Sequence, residues 1–176
     1  MARLGLRCCR TALRSAILAL ITPRIDTIMN ETSEMDFRES LPPASEYLAL
    51  FESTGWNREY RLSAENLHEA IRQSWFLVTA YDQNRLVGTG RVISDGVFHA
   101  LIVDVIVKPE FQRRGLGTAI MRRLLERCLA AHILDVQLFC ARGKAPFYSR
   151  LGFIARSEEA PGMDFRPIPP SATNGK

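Results

Sequence analysis

Val105-Ile106-Val107-Lys108-Pro109-Glu110-Phe111-Gln112-Arg113-Arg114-Gly115-Leu116-Gly117-Thr118 is the stretch on which the fold turns. Residues 100–107 (Ala-Leu-Ile-Val-Asp-Val-Ile-Val) are nearly all apolar, the pattern of a central strand buried on both faces, and Pro109 stops it. Downstream, Ile120, Met121, Leu124, Leu125, Cys128 and Leu129 form one apolar stripe, with Arg122, Arg123, Glu126 and Arg127 on the other side. That spacing predicts a helix over 117–131. A strand that runs through a glycine-bearing turn into a helix N-terminus makes an anion site. Unpaired amides point outward there, and the helix dipole favours negative charge. Gly115 and Gly117 permit positive φ and a close backbone approach to a diphosphate, while Arg113 and Arg114 add positive charge. Two rival phosphate loops fail by inspection. A dinucleotide fingerprint starting at Gly115 needs Gly or Ala where Ile120 stands, and a P-loop needs Lys-Ser/Thr where Thr118-Ala119 follows Gly117. The plain alternative is a glycine turn that only joins strand to helix.

Outward from this stretch, the periodicity predicts a short strand at 35–39 and a helix opened by Pro42-Pro43, with Tyr47, Leu48, Leu50 and Phe51 on its apolar side. Ser63 reads as an N-cap with Leu67, Ala70, Ile71 and Trp75 at helical spacing behind it. Strands are expected at 75–81 and 86–93, joined by the turn Asp82-Gln83-Asn84-Arg85, and another turn at Ser94-Asp95-Gly96. A strand at 135–140, a short helix at 145–151 and a last strand from Phe153 complete the order β-α-α-β-β-β-α-β-α-β. The fold class is α/β, a mixed sheet with helices on both faces.

At 176 residues and 47% hydrophobic content, the chain fits one domain with tails. We expect that domain over 35–166, a leader at 1–34 and a loose tail at 167–176. The formal charge of +4 sits in the leader: residues 1–28 carry five arginines against Asp26. The rest balances eighteen bases with eighteen acids, which argues against a nucleic-acid-binding face. The leader reads equally as an organellar transit peptide or as an upstream extension, since Met29 and Met35 lie just before the domain. Its apolar run at 16–21 is too short to span a bilayer, so no membrane partner is expected. The expected location is cytoplasmic, or a plastid or other organelle if the leader is a transit peptide. Cys8, Cys9, Cys128 and Cys140 lack zinc or redox spacing and are read as reduced, with Cys128 and Cys140 buried; no metal is expected.

Gln-x-x-Gly-x-Gly between a Val-Ile-Val-x-Pro strand and a long helix resembles the acetyl-CoA motif of the GNAT superfamily of N-acetyltransferases. A second block, Ala145-Pro146-Phe147-Tyr148-Ser149-Arg150-Leu151-Gly152-Phe153, resembles that superfamily's C-terminal helix and its exit. More narrowly, Ser94-Asp95, Asp104-Val105-x-Val107, Leu138-Phe139 and Pro161-Gly162-Met163 are similar to a plant plastid and cyanobacterial branch, described as acetylating arylalkylamines such as serotonin, and protein amines. The resemblance implies a splayed sheet of about six or seven strands and acetyl-CoA as co-substrate. It further implies main-chain contacts from Val105, Ile106 and Val107 to the pantetheine. Gln112, Arg113, Arg114, Gly115, Leu116, Gly117 and Thr118 would hold the diphosphate, and Tyr148 would protonate the leaving thiolate. An asparagine that many members carry before the last helix is replaced by Ala141-Arg142-Gly143.

The implied activity is direct acetyl transfer to a primary amine, on a small molecule or a protein, in a ternary complex. The alternative is a non-catalytic acyl-CoA sensor on the same fold, and a homodimer is left open. Asp104, an acid inside an apolar strand, is a candidate to take the amine's proton; equally, it caps a loop or pairs with Arg91. His99 reads as structural. Phe51, Trp56 and Phe98 either line an acceptor pocket or are ordinary core aromatics.

Overall fold

A computed structural model describes residues 35–163, so the leader, with Cys8 and Cys9, and residues 164–176 lie outside the described residues. The chain divides into two compact units after Phe139.

The first unit is built on one five-stranded sheet in the order β1-β2-β3-β4-β5. The strands are β1 (Asp36–Arg38), β2 (Phe76–Asp82), β3 (Arg85–Ser94), β4 (His99–Val107) and β5 (Asp135–Leu138). The first four pair antiparallel, and β5 joins β4 in parallel through the crossover helix α4 (Leu116–Ala130). Among the described residues three helices precede β2: α1 (Ala44–Glu52), α2 (Asn57–Tyr60) and α3 (Ala64–Arg72). The short α2 has no counterpart in the sequence reading. Ser63 caps α3 as expected, in a reciprocal box with Asn66. The β2–β3 connection is a tight hairpin whose central residues, Gln83 and Asn84, both have positive φ.

The helices cover opposite faces of the sheet. Gly90 lies under α4: a Cβ there would come within 2.8 Å of Ile120 and 2.9 Å of Leu124. Its neighbour Arg91 points the other way and reaches the Ala70 carbonyl of α3. On that second face Tyr47, Leu50, Phe51, Leu67 and Ile71 pack on Tyr81, Leu86 and Ile106. Gly90→Ala should therefore cost about 1–3 kcal/mol by overpacking, read as a lower denaturation midpoint at unchanged m-value.

Three expectations need correction. The strand ending at Val107 is not uniformly buried: only Ala100, Ile102 and Ile106 are, and β5 pairs with no more of β4 than His99 to Ile102. Leu129 of the expected helix stripe is 40% exposed, lying near the helix end beyond the sheet. Among the described residues the sheet has five strands rather than six or seven, and no strand forms over 153–163.

The second unit carries α5 (Ala145–Ser149), with Pro146 in its first turn. Beyond it, residues 154–163 are exposed throughout, Ile154 at 92%, and so lack the neighbours a ladder needs. Cys140 is exposed rather than buried, whereas Cys128 in α4 is fully buried.

Candidate active site

The loop after β4 is organised by its own residues. Pro109–Phe111 forms a 3₁₀ turn, and Lys108 stays tied to the sheet by donating its N–H to the Val87 carbonyl. Gln112 turns its side chain back, and Nε2 donates to the Val107 carbonyl at 2.9 Å. The glutamine thus pins the end of β4, a task that nothing in its sequence context announces. Arg113 then takes φ +62° and Gly115 φ +82°, so the chain enters α4 through left-handed backbone. Gly117 does not share this: it lies in regular helix. Of the two glycines, only Gly115 uses the conformational freedom expected of both.

The start of α4 differs from those of α1, α2 and α3. Those three carry an acid in the first turn (Glu46, Glu59 and Glu65), whereas α4 has none; like α1 and α2, it has no side-chain cap. Its first-turn amides are left to an outside partner, and the helix dipole adds to the charge of the exposed Arg113 and Arg114. This is chemistry that fits a diphosphate. Leu116 is buried, so only its main chain is available to a ligand; Gly117 and Thr118 are half-buried.

Beside this loop, β4 loses its outer neighbour. The β4–β5 pairing ends at Ile102↔Leu138, so among the described residues Val103 to Val107 have no strand along that edge. The open edge contains Val105, Ile106 and Val107, the main chain that the family motif assigns to pantetheine. On the inner side, the β3–β4 register slips between Thr89 and Arg91, and Asp104 and Val105 bulge opposite Gly90.

Asp104 sits in that bulge at φ +51°, a conformation that Asp tolerates better than most residues. Its carboxylate accepts from Arg91 Nε at 2.6 Å, with the two side chains 22% and 14% exposed. Arg91 also approaches the Ala70 carbonyl and Ser74 Oγ, each at 3.5 Å. The pairing with Arg91, one of the two readings held open for Asp104, is thus present. The Tyr47 ring of α1 packs in the same layer, and its hydroxyl is buried with no well-formed hydrogen bond. Burial pushes this phenol's pKa well up, Asp104 adds to the rise, and Arg91 opposes it. Replacing Asp104 by Asn keeps the backbone preference but removes a charged bond, and should cost about 1.5–3 kcal/mol of stability by denaturant titration.

The other sequence candidates scatter. Phe51 is buried and meets Trp56 edge-on at 5.8 Å, with Trp56 40% exposed. Phe98 stands at the opposite end of β4 from the loop, and its only ring contact among the described residues is with His99. It therefore does not join Phe51 and Trp56. His99 is structural, as expected: its Nδ1 meets Asp135 Oδ2 at 3.1 Å and ties the starts of β4 and β5 together.

In the second unit, Tyr148 is half-buried on α5, with Phe147 and Phe153 edge-on to its ring. Burial raises its pKa, and Cys140 adds to the rise. The phenol therefore keeps its proton to higher pH than a free tyrosine. Among the described residues, no group of three or more His, Cys, Asp or Glu could hold a metal ion, and no helix is long and apolar enough to cross a membrane.

The family described as Acetyltransferase (GNAT) domain matches residues 50–167. A protein named Uncharacterized N-acetyltransferase ycf52, from Porphyra purpurea, is 33% identical over 122 residues, covering 67% of this chain and 68% of that protein. Histone acetyltransferase TAP1 from Glycine max is 32% identical, and the match spans 68% of this chain but 55% of the soybean protein. Among solved structures, a probable acetyltransferase from Staphylococcus aureus superposes with a TM-score of 0.67 at 25% identity, covering 75% of this chain and 98% of that one. With the strand, left-handed turn and uncapped helix laid out above, these matches establish that the chain belongs to the GNAT acetyltransferase family.

Proposed function

We propose that this acetyltransferase moves the acetyl group of acetyl-CoA to a primary amine by direct attack. The observation that carries the reading is the start of α4, where left-handed Gly115 leads into a helix with no cap and no first-turn acid. Acetyl-CoA, when bound, supplies an activated thioester; the chain's own residues do the rest. The amides of 113–117, with Arg113, Arg114 and Thr118, hold the diphosphate. Main-chain groups of Val105, Ile106 and Val107 along the open edge of β4 orient the pantetheine and polarise the acetyl carbonyl. Asp104 takes the proton that the acceptor ammonium must lose before it can attack. Tyr148 donates to the departing thiolate; its role rests on the motif around it and on a phenol held protonated by burial.

For the acceptor, the reading favours a small arylalkylamine or a protein amine. Relatives include a protein named Serotonin N-acetyltransferase 2, chloroplastic, from Oryza sativa at 33% identity, and the histone acetyltransferase TAP1. The chloroplastic names among relatives, together with the Arg-rich leader, favour a plastid as the working compartment. Incubation with acetyl-CoA and a panel of arylalkylamines, polyamines and a lysine peptide, read by product mass, should give one acetylated class. Acetylation of none of them by a folded, acetyl-CoA-binding protein would contradict the reading and leave a sensor domain.

A further inference from the structure

We propose that Arg85 receives the ribose 3′-phosphate of the coenzyme, so that the site selects acyl-CoA over thioester donors that lack this group. The inference rests on the reading above, in which the start of α4 holds the coenzyme's diphosphate. The observation that carries it is a pair of guanidinium groups, brought from two different elements onto one ring.

Phe111 closes the 3₁₀ turn and is 7% exposed, so its ring is a fixed platform just ahead of the diphosphate loop. Arg114 of that loop places its guanidinium carbon 5.7 Å from the ring centroid. Arg85, the first residue of β3, places its own 5.3 Å from the same centroid. Both distances fall within the roughly 6 Å over which a ring attracts a cation. Sharing one ring, the two cations stand no farther apart than these two distances laid end to end.

The backbone brings Arg85 to the loop independently of its side chain. Lys108, which opens the 3₁₀ turn, donates its N–H to the Val87 carbonyl, two residues beyond Arg85 on the same strand. From the other side the β2–β3 turn is clamped to β1, where Arg38 Nη2 donates to Asn84 Oδ1 at 2.9 Å.

The charge on Arg85 is oriented but not neutralised. Its side chain is 57% exposed, and the carboxylate it reaches, Asp82, lies 3.7 Å from Nη2, too far for a charge-assisted hydrogen bond. An exposed pair at that separation adds little stability and does not account for the cation. The ring contact holds the guanidinium in place without supplying an anion. Near Arg114 it sets like charge beside like charge, an arrangement that an arriving anion makes favourable.

Coenzyme A carries the matching group. Its ribose bears the diphosphate at the 5′ position and a phosphate monoester at the 3′ position, so a site that holds the first has the second within a few bonds. A monoester loses its second proton at about pH 6, and the resulting dianion suits a guanidinium fork. Dephospho-coenzyme A keeps the diphosphate, the pantetheine and the thiol and lacks only this phosphate.

The test is equilibrium binding of coenzyme A and of dephospho-coenzyme A to the full chain, by calorimetry, with thermal melts alongside. Wild type should bind coenzyme A about tenfold more tightly than dephospho-coenzyme A, and the preference should shrink as salt is raised. Arg85→Gln should bring the preference below about twofold by weakening coenzyme A alone; at an exposed position the variant should melt like wild type. Arg85→Lys keeps the charge without the fork and should retain part of the preference. Arg114→Gln should weaken both ligands alike, because it acts on the diphosphate that they share. Equal binding of the two ligands by wild type overturns the proposal, as does a preference that survives in Arg85→Gln or is erased by Arg114→Gln instead. An equal loss of both ligands in Arg85→Gln overturns it too, since that marks a general electrostatic or structural role. Failure of the parent reading looks different: wild type then binds neither ligand, which overturns both.

Discussion

Tyr148→Phe should lower kcat by roughly ten- to a thousandfold while leaving acetyl-CoA affinity near wild type, because the lost interaction forms mainly in the transition state. The substitution keeps the ring that packs against Phe147 and Phe153 and removes only the proton the residue can give. The direction of the pH effect follows from burial. The folded phenol's pKa is raised, chiefly by desolvation and secondarily by Cys140, so the acid is intact at neutral pH and is lost only as pH climbs past the ordinary tyrosine value of about 10. Wild-type kcat should decline there, and the Phe variant should lack that decline. A structural Tyr148 predicts near-normal kcat with a small change in stability. Thermal melts must accompany the kinetics, since partial unfolding would mimic the loss.

Gly115→Val should weaken acetyl-CoA binding about ten- to a hundredfold, by equilibrium titration. At φ +82° a β-branched residue costs about 1–3 kcal/mol, and the loop relieves it by turning the amides of 113–117 away from their common direction. The free protein should also melt lower. Gly117→Ala separates the two reasons a glycine can be needed here. Gly117 is helical, so alanine suits its backbone; any loss of affinity there reports a close approach of the coenzyme rather than strain. Unchanged affinity in a folded Gly115→Val protein would remove the diphosphate assignment.

How legible this was depended on the kind of signal. Apart from the short α2, the order of elements through 35–149 could be read because local marks punctuate it: Ser63 for the α3 cap, Asp82 to Arg85 for the hairpin, Pro109 for the end of β4. The β4–α4 loop was legible for the same reason. Features that depend on distant partners were not. Nothing near Gln112 shows that its amide will bond Val107, and nothing near Tyr47 shows that its hydroxyl will be buried close to an ion pair brought together from β3 and β4. The missing strand after Phe153 is the converse case. The residues suit a strand, but a strand exists only where another lies beside it, and residues 154–163 remain exposed. The bulge at Asp104 was half legible: an acid within an apolar strand signals a break in regularity, while the left-handed backbone that accommodates it does not show in the residue alone.

Amine-dependent release of free coenzyme A thiol under single-turnover conditions tests the central claim most directly. The full chain is mixed with acetyl-CoA, first alone and then with the best acceptor from the panel. Direct attack in a ternary complex predicts no thiol until the amine is present, then one thiol and one N-acetyl product for each acetyl-CoA consumed. Thiol released before the amine is added would contradict direct attack, and no thiol with any amine, despite bound acetyl-CoA, would contradict catalysis itself.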